Sequence, residues 1–207
     1  MNVNDILDHP ELKWDWNGIS QNPNVTMEII LTNIDKLWNW SKLSWHPNIT
    51  MSDIQSHMDF PWNWDDGGVN SNPNLTMTMI ESHPDKNWNW HGISGDIKLT
   101  VDILRRNADK EWDFTNMSMY NPSITLELLL ATPDLPWNYK YLSFNECLTM
   151  DMVLSFPNKN WDWKVVSRNR GITMSDIESH MDLSWDWDYV SANPNIRICD
   201  IEKHHDN

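Results

Sequence analysis

The sequence predicts an all-α fold, an α-solenoid of about eight 24-residue helix-turn-helix repeats. Three observations carry that expectation: a tryptophan triplet at near-constant spacing, a threonine helix start in step with it, and proline or Asn-Pro-Asn punctuation between them. The leading tryptophan of each Trp-x-aromatic triplet falls at Trp14, Trp38, Trp62, Trp88, Trp112, Trp137, Trp161 and Trp185. The step is 24 residues except for 26 after Trp62 and 25 after Trp112. A single array therefore fills 1–207, with units at about 2–25, 26–49, 50–75, 76–99, 100–124, 125–148, 149–172 and 173–196 and a partial capping unit over 197–207.

The first helix of each unit starts at a threonine. Thr26 is a natural N-cap, since its hydroxyl accepts a backbone N–H of the first turn, and Val25 before it pairs with Ile30 as a hydrophobic staple. The pattern repeats with Thr50, Thr76, Thr100, Thr125, Thr149 and Thr173 at the cap, and Asn2 opens the chain in phase. First-turn acids such as Glu28, Asp53 and Asp102 suit the positive end of the helix dipole. Pro10, Pro84, Pro133 and Pro157 end this helix after about two turns.

The tryptophan triplet starts the second helix. Asp15 is its N-cap, Trp14 and Ile19 its staple, and Trp16 its first helical residue. Asn39, Asn89, Asp113, Asn138, Asp162 and Asp186 take the cap elsewhere, and Asn-Pro-Asn then turns the chain toward the next threonine. In the third unit Gly67-Gly68 lie inside this helix and delay its staple residue to Val69, which predicts a broken turn or hinge. Units six and seven replace Asn-Pro-Asn with Asn145-Glu146-Cys147 and Asn169-Arg170-Gly171, and a last polar helix over Ile198 to His204 reads as an end cap. The competing architecture is a leucine-rich-repeat-like β/α solenoid, which shares the unit length and an asparagine ladder but needs a Leu-x-Leu strand that is absent from the sequence.

Composition sets the limits on function. The 207 residues carry a formal charge of −15, with 30 Asp and Glu against 15 Lys and Arg, so a phosphate-neutralising nucleic-acid binder is disfavoured. Aliphatic residues are sparse, and the 15 tryptophans supply the apolar area that a core needs. No apolar run approaches the ~18 residues of a membrane span, and the N-terminus has neither the basic nor the apolar region of a signal peptide. Cys147 and Cys199 are too few for a disulfide framework, which fits a reducing, cytoplasmic setting.

The run Asn-Pro-Asn-Leu-Thr-Met at 72–77, followed by Glu-Ser-His-Pro-Asp-Lys-Asn-Trp-Asn-Trp at 81–90, resembles the Trp-rich short tandem repeats of giant DNA viruses related to mimivirus. The resemblance covers almost the whole chain and is weakest in units five to seven. It implies a virus-encoded repeat protein of the host cytoplasm or the virion, and it carries over no activity and no site residue.

Each chemistry-bearing group has a structural reading that outweighs the functional one. His9, His57, His83, His180 and His204 share one repeat position, where a side chain bonds free carbonyls at a helix end, and Asn33, Asn107, Thr132 and Phe156 interrupt the series. Fourteen of the 15 tryptophans occupy triplet positions and read as core, which leaves Trp45 as the candidate for exposure. Carboxylates such as Asp65-Asp66 lie at cap and surface positions with no calcium-loop pattern. No phosphate loop, nucleophile elbow or metal-ligand spacing appears, so neither an enzyme nor a cofactor is expected. The variable residues after each triplet, Lys42, Asp65, Asp66, His91, Asn116, Tyr141, Lys164 and Tyr189, form instead a candidate partner-contact stripe. A protein partner or self-association is the expected use, with no nucleic acid and no membrane.

Overall fold

The computed structural model describes residues 9, 12–65 and 67–197. Among these the regular elements are fourteen α-helices and one 3-10 helix, with no strand. The β/α alternative requires a strand in each unit and is not the fold of the described residues. The chain divides into two compact units, Met1–Ile93 and Ser94–Asn207. The first contains α1 (Trp16–Ile19), α2 (Met27–Thr32), α3 (Trp40–Ser44), α4 (Met51–Ser56), the 3-10 helix (Val69–Ser71), α5 (Met77–Ser82) and most of α6 (Trp90–Asp96). The second contains α7 (Val101–Arg106), α8 (Phe114–Tyr120), α9 (Leu126–Ala131), α10 (Tyr139–Leu142), α11 (Met150–Ser155), α12 (Trp163–Arg168), α13 (Met174–Ser179) and α14 (Trp187–Val190). The cap at Asn2, the helix over Ile198 to His204, and Asp66 lie outside the described residues.

Both predicted helix starts form. The side chains of Thr26, Thr50, Thr76, Thr100, Thr125, Thr149 and Thr173 each accept the N–H three residues on, and in α4 and α13 Asp53 and Asp176 complete a capping box. Asn39, Asn138, Asp162 and Asp186 cap the second helices in the same way, Asp113 accepts the N–H groups both two and three residues on, and Asp15 accepts that of Asn17, two residues on. The staple residues are the core: Val25, Ile30, Ile49, Ile54, Leu43, Leu142, Val166, Ile172 and Ile177 are fully buried. Helices of four to seven residues are far below the ~12 that hold together alone, so burial of these side chains, worth about 1.5–3 kcal/mol each, supplies what propensity cannot.

Tryptophan leads the triplet because its ring and its N–H are both used. The indole Nε1–H donates to the carbonyl five residues back at all eight positions, from Trp14 to His9 (2.8 Å) through Trp137 to Thr132 (3.1 Å) to Trp185 to His180 (2.8 Å). From Trp38 onward each ring thereby closes the open end of the preceding threonine-capped helix, and in six of the eight repeats the ring is also buried in the core. The residue that receives the indole also folds back: His57, His83 and His180 through Nδ1, Asn33 and Asn107 through Nδ2 and Thr132 through Oγ1 bond the carbonyl four residues earlier. That is the helix-end role expected of the histidines.

Successive repeats are tied by a buried polar ladder. In the first unit Ser20 Oγ accepts the N–H of Asn39 at 2.9 Å and Ser44 Oγ that of Asn63 at 2.8 Å. In the second unit Ser94, Ser118, Ser143 and Ser167 accept from Asp113, Asn138, Asp162 and Asp186 at 2.9–3.0 Å. All six serines are fully buried. Parallel to them runs an amide ladder: Asn72 Nδ2 donates to Ser44 O (2.9 Å) and Ile49 O (3.1 Å), Asn145 to Ser118 O (3.0 Å) and Asn121 O (3.1 Å), and Asn169 to Ser143 O (2.9 Å) and Asn145 O (3.0 Å). The asparagine ladder of the rejected β/α alternative is thus present, carried on helical repeats. Among the described residues no buried side-chain N or O atom lacks a partner.

Two consequences follow for Asn-Pro-Asn. In Asn72 and Asn193 its first Asn is the buried donor, and there, as in the half-buried Asn22, Oδ1 accepts the N–H two residues on. Units six and seven therefore keep the essential residue, Asn145 or Asn169, and lose only the outer positions. At 171 the outer position is glycine for steric reasons, since a Cβ there would lie 1.8 Å from Leu148 O.

Candidate interaction surface

The second aromatic of most triplets bridges from the core to the surface, whereas Tyr139 is buried. Trp16 meets Trp38 edge-on at 5.0 Å, Trp40 meets Trp62 at 5.1 Å, Tyr139 meets Trp161 at 5.2 Å and Trp163 meets Trp185 at 5.4 Å, with interplanar angles of 72–87°. Six leading tryptophans are buried, whereas Trp14 and Trp112 are half-buried like Trp16, Trp40, Trp64 and Trp163, and Trp187 is 49% exposed. Core packing thus holds fully for six of the eight leading rings and in part for Trp14, Trp112 and most of the second aromatics. Cations cover some of the outer faces, with Lys86 Nζ 5.1 Å from the Trp64 centroid and Lys159 Nζ 5.0 Å from that of Tyr139. Burial raises the Tyr139 phenol above its ordinary pKa.

The predicted stripe lies in the tryptophan-led helices except at Asp65, whose repeat has no such helix start, and its members differ in what they touch. Asp65 and His91 are exposed, and Lys42 reaches back to donate to Asn17 O at 3.2 Å. Asn116 is half-buried and packs where a side chain at Gly95 would otherwise lie. Tyr141 is exposed with its ring 6.3 Å from Phe144. Lys164 and Tyr189 come together, with Nζ 5.9 Å from the ring centroid, and Arg168 joins them at 5.5 Å. The structure thus brings together Lys164 and Tyr189 within the second unit.

One turn further along these helices, sequence reasoning singled out Trp45 alone and missed the other residues there. Trp45, Phe144 and Arg168 stand directly after the ladder serine, and Tyr120 one residue further on; Trp45, Phe144 and Tyr120 are 40%, 37% and 61% exposed. Trp45 is exposed as expected, and it belongs to a set. Arg168 also lines a groove with Arg170, which faces Glu146 across a spacing of one repeat (3.2 Å), a neighbourhood that the linear sequence hides.

Two grooves open on the second unit. One, about 670 Å³, lies beside the starts of α7 and α9, and Asp96, Lys98 and Glu127 give it both signs of charge. Asp96 stands at the ladder position of the fourth repeat but is exposed, and Ile97 is buried instead. A carboxylate cannot donate to the carbonyls that a ladder amide serves, so α6 continues through Asp96 and the Ile97 carbonyl takes Asn121 Nδ2 at 2.9 Å. The other groove, about 310 Å³, is lined by Phe144, Glu146, Val165, Arg168, Arg170 and Pro194.

Comparison with protein-family models, with curated proteins and with solved structures finds no match. Among the described residues no group of three His, Cys, Asp or Glu side chains is placed to hold a metal ion, and no helix is long and apolar enough to cross a membrane.

Proposed function

We propose that this chain is a non-enzymatic repeat scaffold, an α-solenoid of about eight units whose variable stripe binds a protein partner, encoded by a virus and acting in the host cytoplasm or the virion. The observation that supports it is the division of labour within each repeat. Threonine caps, indole bonds and the Ser and Asn ladders recur with the same geometry, while the exposed residues of the tryptophan-led helices change from repeat to repeat: Lys42, His91, Tyr141, Lys164. A uniform frame with a variable surface is how repeat arrays display binding sites. Partner capture from the native cell tests it. Proteins enriched over an unrelated acidic control, and lost from a Tyr141→Ala, Lys164→Glu variant with unchanged circular dichroism, are the expected result; no enrichment would sink the reading.

A second reading, self-association into a virion or intracellular assembly, has one observation in its favour. Ser191 and Trp187 are exposed, although the equivalent serines are fully buried and the equivalent aromatics pack on the next tryptophan. Light scattering over a concentration series separates the two, since a persistent monomer removes the assembly.

A further inference from the structure

We infer that the smaller groove of the second unit is a docking site for an acidic peptide segment that carries an apolar side chain. The inference rests on the scaffold reading and gives its partner a chemistry. The groove joins the end of α10, the end of α12 and the turn after α14. Its floor is apolar: Phe144 is 37% exposed there, with Val165 and Pro194 beside it. Its volume of about 310 Å³ suits a side chain rather than a domain.

The charge at its rim is the reverse of the charge of the molecule. The chain carries −15, yet the groove has Arg168 and Arg170 against the single carboxylate of Glu146. Among the described residues no carboxylate pairs with Arg168, whose guanidinium lies over the Tyr189 ring at 5.5 Å. Arg170 pairs with Glu146 at 3.2 Å, but both side chains are mostly exposed, 65% and 77%, so water already weakens the pair and a ligand carboxylate can replace it. Two guanidiniums flanking an apolar floor match a peptide with acids on either side of a leucine-like residue, because the planar fork favours carboxylates and the floor takes the side chain. A nucleic-acid strand fits less well. Its affinity requires several phosphate contacts, and it would have to run past Glu146 on a chain with twice as many acids as bases.

The test is fluorescence anisotropy of a labelled short peptide of Asp and Glu around a central Leu, titrated with the full chain. Saturable binding is expected, weakening with added salt and falling roughly tenfold or more in Arg168→Glu, Arg170→Glu. Phe144→Ala weakens it several-fold, and Glu146→Gln strengthens it by freeing Arg170. All variants are surface changes whose thermal melts and circular dichroism verify folding. Absence of peptide binding overturns the inference, as does binding unchanged by the double arginine variant. Equal binding of an oligothymidylate, or of the peptide with Ser for Leu, does the same. If the peptide fails while cellular capture is still lost on changing Lys42 and His91, the groove falls and the scaffold reading stands; if capture fails as well, both fall.

Discussion

In the seventh repeat Ser167 Oγ donates to Trp163 O at 2.7 Å and accepts the N–H of Asp186 at 2.9 Å. In the third, where Gly67-Gly68 lengthen the chain, Asn70 takes both tasks: Nδ2 donates to Trp64 O at 2.5 Å and Oδ1 accepts the N–H of Asn89 at 3.0 Å. The α-helical start of the regular repeat is gone, replaced by a 3-10 turn over Val69–Ser71, yet Val69 is fully buried at the delayed staple position. A longer side chain with one donor and one acceptor thus spans the gap that the insertion creates. What packing requires of each repeat is a bonding pattern, and the residue that supplies it is free to change. His46 makes the same point in the amide ladder, with Nε2 bonding Asn22 O at 3.1 Å and Nδ1 accepting the N–H of Asn48 at 3.2 Å.

The largest effect is expected where the pattern cannot be supplied at all. Asn169→Leu in the regular repeat strands Ser143 O, Asn145 O and the N–H of Gly171, and is expected to cost on the order of 3 kcal/mol in a urea melt. Asn169→Asp keeps the shape but loses the donors when ionised. Its burial raises the folded pKa, so the carboxyl is tolerated below the unfolded value and stability falls as pH rises through the folded one. A stability that is flat between acid and neutral pH would contradict this account.

The glycine pair separates two causes of strain. A Cβ at Gly68 would lie 2.1 Å from the Asn63 carbonyl oxygen, which also accepts the N–H of Val69, so Gly68→Ala should cost about 2–3 kcal/mol. Gly67 has open space but a φ of +79°, and its replacement by Ala should cost only about 1 kcal/mol. Equal losses would show that the insertion is not held by the contact with Asn63. Exchanging the ladder residues comes next in size. Asn70→Ser is too short for the widened turn and should lose about 1–2 kcal/mol, as should Ser167→Ala; calorimetry that finds Asn70→Ser neutral would show that the two repeats do not share one pattern.

The smallest effect lies outside the comparison, on the repeat surface. Asp35, Asp85 and Asp109 each hydrogen-bond the lysine that follows, and this holds their carboxyls below the ordinary value. A lowered folded pKa contributes stability above the unfolded value, lost as pH falls through the folded one. The pairs are exposed, so Lys110→Ala should return the Asp109 titration to the ordinary range in an NMR experiment and leave the melting temperature almost unchanged.

Much of the fold is legible because its signals are local. A threonine followed by apolar residues at staple spacing starts a helix wherever it occurs, and all seven described examples do so. Asn-Pro-Asn is legible as a turn but not as a ladder, since what Asn145 donates to lies 24 and 27 residues away. The serine after each second-helix staple was visible in the repeat pattern, and its near-constant presence was the available signal for a buried role. The candidate groove was less legible still. Phe144, Arg168 and Pro194 stand 24 or more residues apart and become neighbours only when repeats stack.

The sequence by itself determined the helix starts, the helix ends and the identity of the buried staples, because caps, prolines and hydrophobic spacing act within a few residues. Only the tertiary structure decided which carbonyls the serines and asparagines satisfy, how Asn70 and Ile97 repair two irregular repeats, and where a cationic groove opens on an acidic chain. The physical reason is range. A cap is a bond within one turn, whereas a ladder bond and a groove exist only between segments that packing has brought together.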